Sequence, residues 1–225
     1  MREYLISAGV EAERVQTIYD GVPKPDTTGP SSLRAELGLD AEAVIGCMVA
    51  IMRDKKGHED LIEAAEPLLA KRPNLHFVMA SNGDTFARVS ETVESRGLGR
   101  RIHLLGFRSD ITNVLRGCDF FVLPTHQEAL GQSFIEAMAV GLPVIGTSVD
   151  GVPELIENDV NGLLVPPKDP LALRAVLLKL IDDPDLRARL GAKGRNIIER
   201  GFSIGDMAGA TVELYLRGLH ERRHA

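Results

Sequence analysis

Asp119-Phe120-Phe121-Val122-Leu123-Pro124-Thr125 runs directly into His126-Gln127-Glu128-Ala129-Leu130-Gly131-Gln132-Ser133-Phe134-Ile135-Glu136-Ala137-Met138-Ala139-Val140-Gly141-Leu142-Pro143-Val144. The first segment, 119–125, is rich in aromatic and β-branched residues and reads as a short buried strand. A helix follows, stopped by Gly141 with Pro143 just beyond it. The unit is therefore strand, loop, helix. It carries two carboxylates eight residues apart, Glu128 in the loop and Glu136 about a turn into the helix. In an open α/β sheet the crevice at a strand's carboxyl end receives ligands, and a helix N-terminus offers N–H groups to an anion. The same letters also permit a structural reading. Ser133 followed by Glu136 fits a capping box, in which Glu136 closes the helix start, and Glu128 reads equally as a solvated loop acid. The surrounding pattern decides between the two.

Glu128 and Glu136, followed by Ala137-Met138-Ala139-Val140-Gly141-Leu142-Pro143-Val144, resemble the signature of the retaining glycosyltransferases of family 4. Those enzymes have the GT-B fold, built of two Rossmann-like halves. Arg53 with Lys55-Lys56-Gly57 resembles the family's Arg…Lys-Gly element, and Leu104-Leu105-Gly106-Phe107 the loop that receives the base. Gly151-Val152-Pro153-Glu154-Leu155-Ile156 resembles the glycine turn after the next strand, and Asn161-Gly162-Leu163-Leu164-Val165-Pro166 the closing segment. The matches keep the family's order from about residue 14 to about residue 200. At one place the chain departs from it. Many relatives carry Gly-x-Gly where Ser81-Asn82-Gly83 stands here, which weakens any claim that this loop touches the donor.

At 225 residues the chain can bury a substantial core, as one large domain or two small ones. Hydrophobic residues make up 44%, no run approaches the roughly eighteen apolar residues of a membrane span, and no signal peptide is legible. The chain reads as soluble. Cys47 and Cys118 sit among apolar residues and read as buried free thiols, which suits a reducing, cytoplasmic compartment. The resemblance leaves open a peripheral association of the full-length protein with the inner face of a membrane. A net charge of −6 speaks against broad electrostatic binding of nucleic acid, so any anion site must be a local concentration of positive charge.

Taken in order, the chain opens on a short helix stopped by Gly9, then a strand from Arg14 to Tyr19 and an extended connector, Asp20 to Pro25. In the family this connector leads out of the cleft between the two halves, so residues 1–25 read as a connector from an N-terminal, acceptor-binding domain missing here. A buried strand, Val44 to Ile51, delivers Arg53, Lys55 and Lys56 at its carboxyl end, the cations an anionic diphosphate needs. His58 to Lys71 has helical spacing of its apolar residues. Strands at 75–80, 102–107, 143–147 and 162–165 alternate with helices. That alternation predicts an α/β, Rossmann-like, mostly parallel sheet covered on both faces, the C-terminal half of a GT-B fold. Helices at 170–183 and 185–200 follow, the second interrupted near Gly191 or Gly194, and residues 203–225 form a C-terminal helix and tail. The whole reads as a single nucleotide-sugar-binding domain.

The resemblance implies transfer of a sugar from a nucleotide-diphosphate donor to an acceptor hydroxyl, with anomeric configuration retained. Such a site stabilises the departing diphosphate while positive charge grows at the anomeric carbon. Arg53 and Lys56 are placed on the diphosphate, with Lys55 and His58 as bystanders. N–H groups near Leu130, Gly131 and Gln132 reinforce them. Glu136 accepts from the ribose hydroxyls, while Glu128 positions the sugar and favours its oxocarbenium character. Phe107 and Arg108 are candidates to stack on the base, although Phe107 reads equally well as core. His126 is a candidate donor contact. Without a His/Cys cluster, no metal and no cofactor is expected beyond the sugar nucleotide itself. Two alternatives stay open. One is another GT-B reaction, such as nucleotide-sugar epimerisation or phosphorolysis with pyridoxal phosphate. The other is a non-catalytic module that binds a nucleotide sugar or a partner.

Overall fold

The computed structural model describes residues 2–224. After α1 (Arg2–Ser7) and α2 (Leu33–Glu36), strands and helices alternate. β1 (Val44–Val49) leads to α3 (His58–Leu69), β2 (Leu75–Ala80) to α4 (Phe86–Ser95), and β3 (Ile102–Gly106) to α5 (Ile111–Arg116). β4 (Phe120–Val122) then leads to α6 (Gln132–Ala139), β5 (Val144–Thr147) to α7 (Val152–Leu155), and β6 (Leu163–Val165) closes the series. The helices α8 (Pro170–Asp182), α9 (Pro184–Gly201) and α10 (Ile204–His224) follow.

The strands form one parallel sheet in the order β3-β2-β1-β4-β5-β6. This is the α/β, Rossmann-like architecture expected from the alternation. Helices cover both faces, so the strands are apolar along their whole length rather than on alternate residues. Ile45, Cys47, Met48, Phe77, Val78, Phe120 and Phe121 are all fully buried. The rings of Phe77 and Phe120 meet edge to face, 6.0 Å apart, over the glycine Gly46. The order reverses between β1 and β4: the chain winds outward from β1 through β2 to β3, then returns to β4 and winds the other way. At such a reversal the crossover helices diverge and leave a crevice at the strands' carboxyl ends.

The described residues divide into two units, Pro25–Ile198, which holds the sheet, and a smaller one of Met1–Lys24 with Glu199–Ala225. Within the smaller unit the Val22 N–H donates to the Phe202 carbonyl at 2.9 Å, and the rings of Tyr19 and Phe202 lie 5.4 Å apart. The expected strand from Arg14 to Tyr19 does not form. Arg14 closes a 3-10 turn, Ala12–Arg14, and Val22 alone makes a bridge, to Ser203. An alternating pattern makes a strand only where a neighbour offers a ladder. α10 runs past Leu219 to His224, with Val212, Tyr215, Leu216 and Leu219 exposed along it.

Two further expectations need correction. β4 ends at Val122, short of Thr125, because the ladder to β5 stops at Leu123 and Pro124 has no N–H to carry it on. α9 is uninterrupted. Gly191 sits inside it because a Cβ there would come within 2.0 Å of the Gly141 carbonyl oxygen, so the residue permits a close approach and marks no break. Cys47 and Cys118 are both free and buried, and burial beside Cys118 holds the Cys47 thiol protonated. Among the described residues, no helix is long and apolar enough to cross a membrane.

Candidate functional site

The crevice at the sheet's reversal is built by two loops, one from each of the strands that meet there. After β1, the chain passes Arg53 and a 3-10 turn, Asp54–Lys56, before Gly57 starts α3. After β4 it passes Thr125, His126, Gln127 and Glu128 before Gly131 starts α6. The loops are tied together. The Lys55 carbonyl accepts from the His126 N–H at 2.7 Å and from the Thr125 hydroxyl at 3.0 Å. Lys55 Nζ donates to Gln127 Oε1 at 2.5 Å, and His126 Nε2 lies 2.5 Å from Asp60 Oδ2 at the start of α3.

Lys56 and Glu128 form the central contact, with Nζ to Oε2 at 2.6 Å and only 21% and 14% of the side chains exposed. Glu128 is further fixed through its backbone N–H, which donates to Asp150 Oδ2 at 2.9 Å. It is therefore not a solvated loop acid. Arg53 stands apart, 62% exposed, with Nε 3.8 Å from an Asp84 oxygen.

α6 settles the capping question. Gly131 is the N-cap, at φ +91°, and no side chain caps the helix. Ser133 lies inside the first turn, so the capping box does not form. Gly131 is required here twice over. The positive φ disfavours a side chain, and a Cβ would come within 2.5 Å of the Phe134 ring. No side chain makes a capping hydrogen bond at the helix start, where the positive end of the helix dipole lies, and the Phe134 and Ile135 N–H groups turn back onto the Gly131 carbonyl.

Beside these loops opens a cleft of about 520 Å³. Its floor is the carboxyl ends of β1 and β2, from Val49 to Ile51 and at Ala80 and Ser81. One wall is Gln132, Ser133 and Glu136 of α6, the other Phe107 and Arg108 after β3. Burial pushes the Glu136 carboxyl above the ordinary carboxylate range. Phe107 is 74% exposed at the rim, so it is not core. Arg108 is clamped edge-on, by Asp110 through two bonds of 2.7 Å and by Glu36 on α2 at 2.9 Å. Asp110 and Glu36 raise the guanidinium's pKa, and the guanidinium in turn, with Asn113, holds the Asp110 carboxyl well below the usual range. The clamp occupies the donor edge of Arg108 and fixes its plane.

The structure thus gathers Glu136, Gln132, Phe107 and Arg108 around one cleft and Lys56, Glu128 and His126 in the adjoining loop pair, with Leu130 and Gly131 leading from one to the other. His58 is buried in α3, and burial lowers its pKa to about 4. Three residues escaped the sequence reading as parts of the site: Asp60, which engages His126; Asp150, which holds Glu128; and Ser81 on the cleft floor. The first two act across 66 and 22 residues of chain, and no local pattern signals such pairs. Among the described residues, no group of three or more His, Cys, Asp or Glu is placed to hold a metal ion.

Residues 31–197 match a family model described as glycosyl transferases group 1. The D-inositol 3-phosphate glycosyltransferase of Streptomyces scabiei is 29% identical to the chain, over 95% of the chain and 51% of that protein. The crystal structure of Anabaena HepE in complex with UDP-glucose superposes with a TM-score of 0.86 at 25% identity, over 96% of the chain and 61% of HepE. The C-terminal domain of LpcC, a group 1 glycosyl transferase family protein of Francisella tularensis, superposes with a TM-score of 0.72 at 28% identity, over 82% of the chain and all of that domain. The chain spans about half the length of the curated relatives it matches.

Proposed function

This chain belongs to the group 1 glycosyl transferases, and on that premise we propose that it holds a nucleotide-diphosphate sugar and, in the full-length protein, serves its transfer to an acceptor hydroxyl with retention of anomeric configuration. One observation carries the reading: the half-buried Lys56–Glu128 pair stands beside an uncapped helix start and a cleft walled by Glu136 and Phe107. The complex of Anabaena HepE with UDP-glucose supports a nucleotide sugar as the ligand. The nucleoside lies in the cleft, its base against Phe107 and Arg108 and its ribose hydroxyls on Glu136. The diphosphate meets the N–H groups at the start of α6, with Lys56 and Arg53 over it. The sugar lies over Glu128.

In this arrangement the positive groups face the oxygens on which charge grows as the glycosidic bond breaks, and they are in place before it breaks. Glu128, held by Lys56 and Asp150, presents negative charge to the anomeric carbon as that carbon becomes oxocarbenium-like. The cations and the helix start supply the leaving-group stabilisation, so transfer is proposed to need no cofactor and no metal. The acceptor is brought by a second Rossmann-like half. A thermal-shift panel of nucleoside diphosphates and their sugar conjugates, with and without magnesium, tests the reading. Stabilisation by none of them overturns it.

Arg53→Ala and Lys56→Ala are each expected to weaken nucleoside-diphosphate binding by about 1.5–3 kcal/mol, the contribution of a charge-assisted contact. Titration calorimetry showing parental affinity in both variants would remove the diphosphate from these residues.

Glu136→Gln separates binding from folding. A carboxyl whose pKa is raised in the folded state favours the protonated form there. Its burial therefore opposes folding above the raised pKa and ceases to do so as the pH falls below it. Gln removes that opposition, so the variant is expected to melt no lower than the parent at neutral pH while binding nucleotide more weakly. In the parent, nucleotide affinity is expected to fall with pH earlier than an ordinary carboxylate would dictate, as Glu136 takes up its proton. An affinity in Glu136→Gln equal to the parent's, flat with pH, would return Glu136 to a structural role.

A further inference from the structure

Ser81 stands at the carboxyl end of β2 with φ +140°, a conformation that glycine adopts readily and a residue with a Cβ does not. The surroundings hold it there. Its N–H donates to the Gly106 carbonyl at 2.8 Å, where the pairing of β2 with β3 shifts register. The next residue is pinned from the other side, the Asn82 carbonyl accepting from the Met52 N–H at 3.0 Å. A glycine would take this place without strain. What serine adds is a hydroxyl, and Ser81 lines the cleft floor between the ends of β1 and β3, the side on which Phe107 stands. Among the described residues the hydroxyl makes one long bond, 3.3 Å to the Asn82 carbonyl, and its oxygen keeps lone pairs to accept with.

We propose that Ser81 is a specificity-determining residue: its hydroxyl hydrogen-bonds the polar edge of the nucleobase that stacks on Phe107, and the strained backbone is retained to place that hydroxyl. The inference rests on the nucleotide-sugar reading of the cleft. It adds to that reading a side chain that reads the base, whereas Phe107 and Arg108 offer faces, which accept any base alike.

The test is calorimetric titration of residues 1–225 with UDP, GDP, ADP and inorganic pyrophosphate, on the parent, Ser81→Gly and Ser81→Ala, together with thermal melts. The parent is expected to prefer one nucleotide. Ser81→Gly is expected to lose about 5–10-fold in affinity for that nucleotide, the equivalent of one neutral hydrogen bond, and to bind pyrophosphate unchanged. Its melting temperature is expected to rise by about 2–4 °C, since relief of strain exceeds the freedom glycine adds to the unfolded chain. Ser81→Ala keeps the strain and loses the hydroxyl, so it shows the same loss of affinity without the gain in stability. Parental preference in Ser81→Gly, a melting temperature below the parent's in that variant, or a parent indifferent to the base overturns the assignment to Ser81 and leaves the cleft's function standing. A parent that binds none of the three nucleotides overturns the functional reading and this inference with it.

Discussion

Gly57→Ala is expected to lose nucleotide binding and roughly 3–5 kcal/mol of stability together, which places it among the severe single substitutions. Two independent effects add at this position. Gly57 has φ +75°, where a Cβ crowds the following carbonyl. That Cβ would also stand 2.0 Å from the Pro124 carbonyl oxygen and 2.8 Å from its carbon, distances that backbone atoms cannot accommodate without moving apart. What must move is the loop after β4, and its next residues carry the contacts of the site: the His126 N–H and Thr125 hydroxyl on the Lys55 carbonyl, then Glu128 on Lys56. Separating the loops breaks the half-buried ion pair, leaving a carboxylate without its cation, and pulls the groups proposed to hold the diphosphate away from the start of α6. In a chain of this size the loss corresponds to a fall of roughly 10 °C in melting temperature. Gly97→Ala is the control. Gly97 also has positive φ, +68°, but nothing lies within 4 Å of its added Cβ, so it is expected to lose only about 1 kcal/mol and no affinity. Equal behaviour of the two variants in melts and titrations would mean that the close approach of Gly57 to Pro124 has no part in the site.

The parallel sheet was legible in the sequence because its signals are local. β2 coincides with the apolar run 75–80, and α6 ends where Gly141 predicts: the Gly141 and Leu142 N–H groups bond back to the Met138 and Ala137 carbonyls. Glu128 and Glu136 were legible because one strand–loop–helix unit carries both. Contacts between units were not. Lys56 and Glu128 lie 72 residues apart, and only the pairing of β1 with β4 brings their loops side by side. The capping box failed for a related reason. Its letters are correct, but the helix starts one residue before Ser133, at Gln132, because Gly131 alone fits against Phe134. In the same way Gly191 resembled a break in a helix until the carbonyl it packs against came into view. Ser81 marks the opposite limit. The departure from Gly-x-Gly was visible in the letters and weakened the claim on the donor, while the structure puts that residue on the cleft floor.

Residues 1–225 assayed alone are expected to bind a nucleotide-diphosphate sugar and to transfer none of it. The groups proposed to hold the donor all lie between Arg53 and Asp150, inside the unit Pro25–Ile198, so affinity needs nothing beyond it. Transfer needs more. An acceptor hydroxyl must be held near the anomeric carbon while water is kept away, and that orientation contributes about 7 kcal/mol or more to a bimolecular reaction made effectively unimolecular. The site in this chain is open: Phe107 is 74% exposed and Arg53 62%, so water reaches both ends of the proposed donor. The relative from Streptomyces scabiei is matched over 51% of its length, and the proposed reading assigns the acceptor groove and closure over the donor to a second Rossmann-like half. A deficit of about 7 kcal/mol is roughly a 10⁵-fold loss in rate, below detection in an ordinary assay. The measurement pairs calorimetry, expected to saturate, with a transfer assay, expected to stay blank until the other half is supplied in trans or the full-length protein is used. Robust, saturable transfer by residues 1–225 to a simple acceptor would sink the idea, because the orientation and the exclusion of water would then have to come from this half alone.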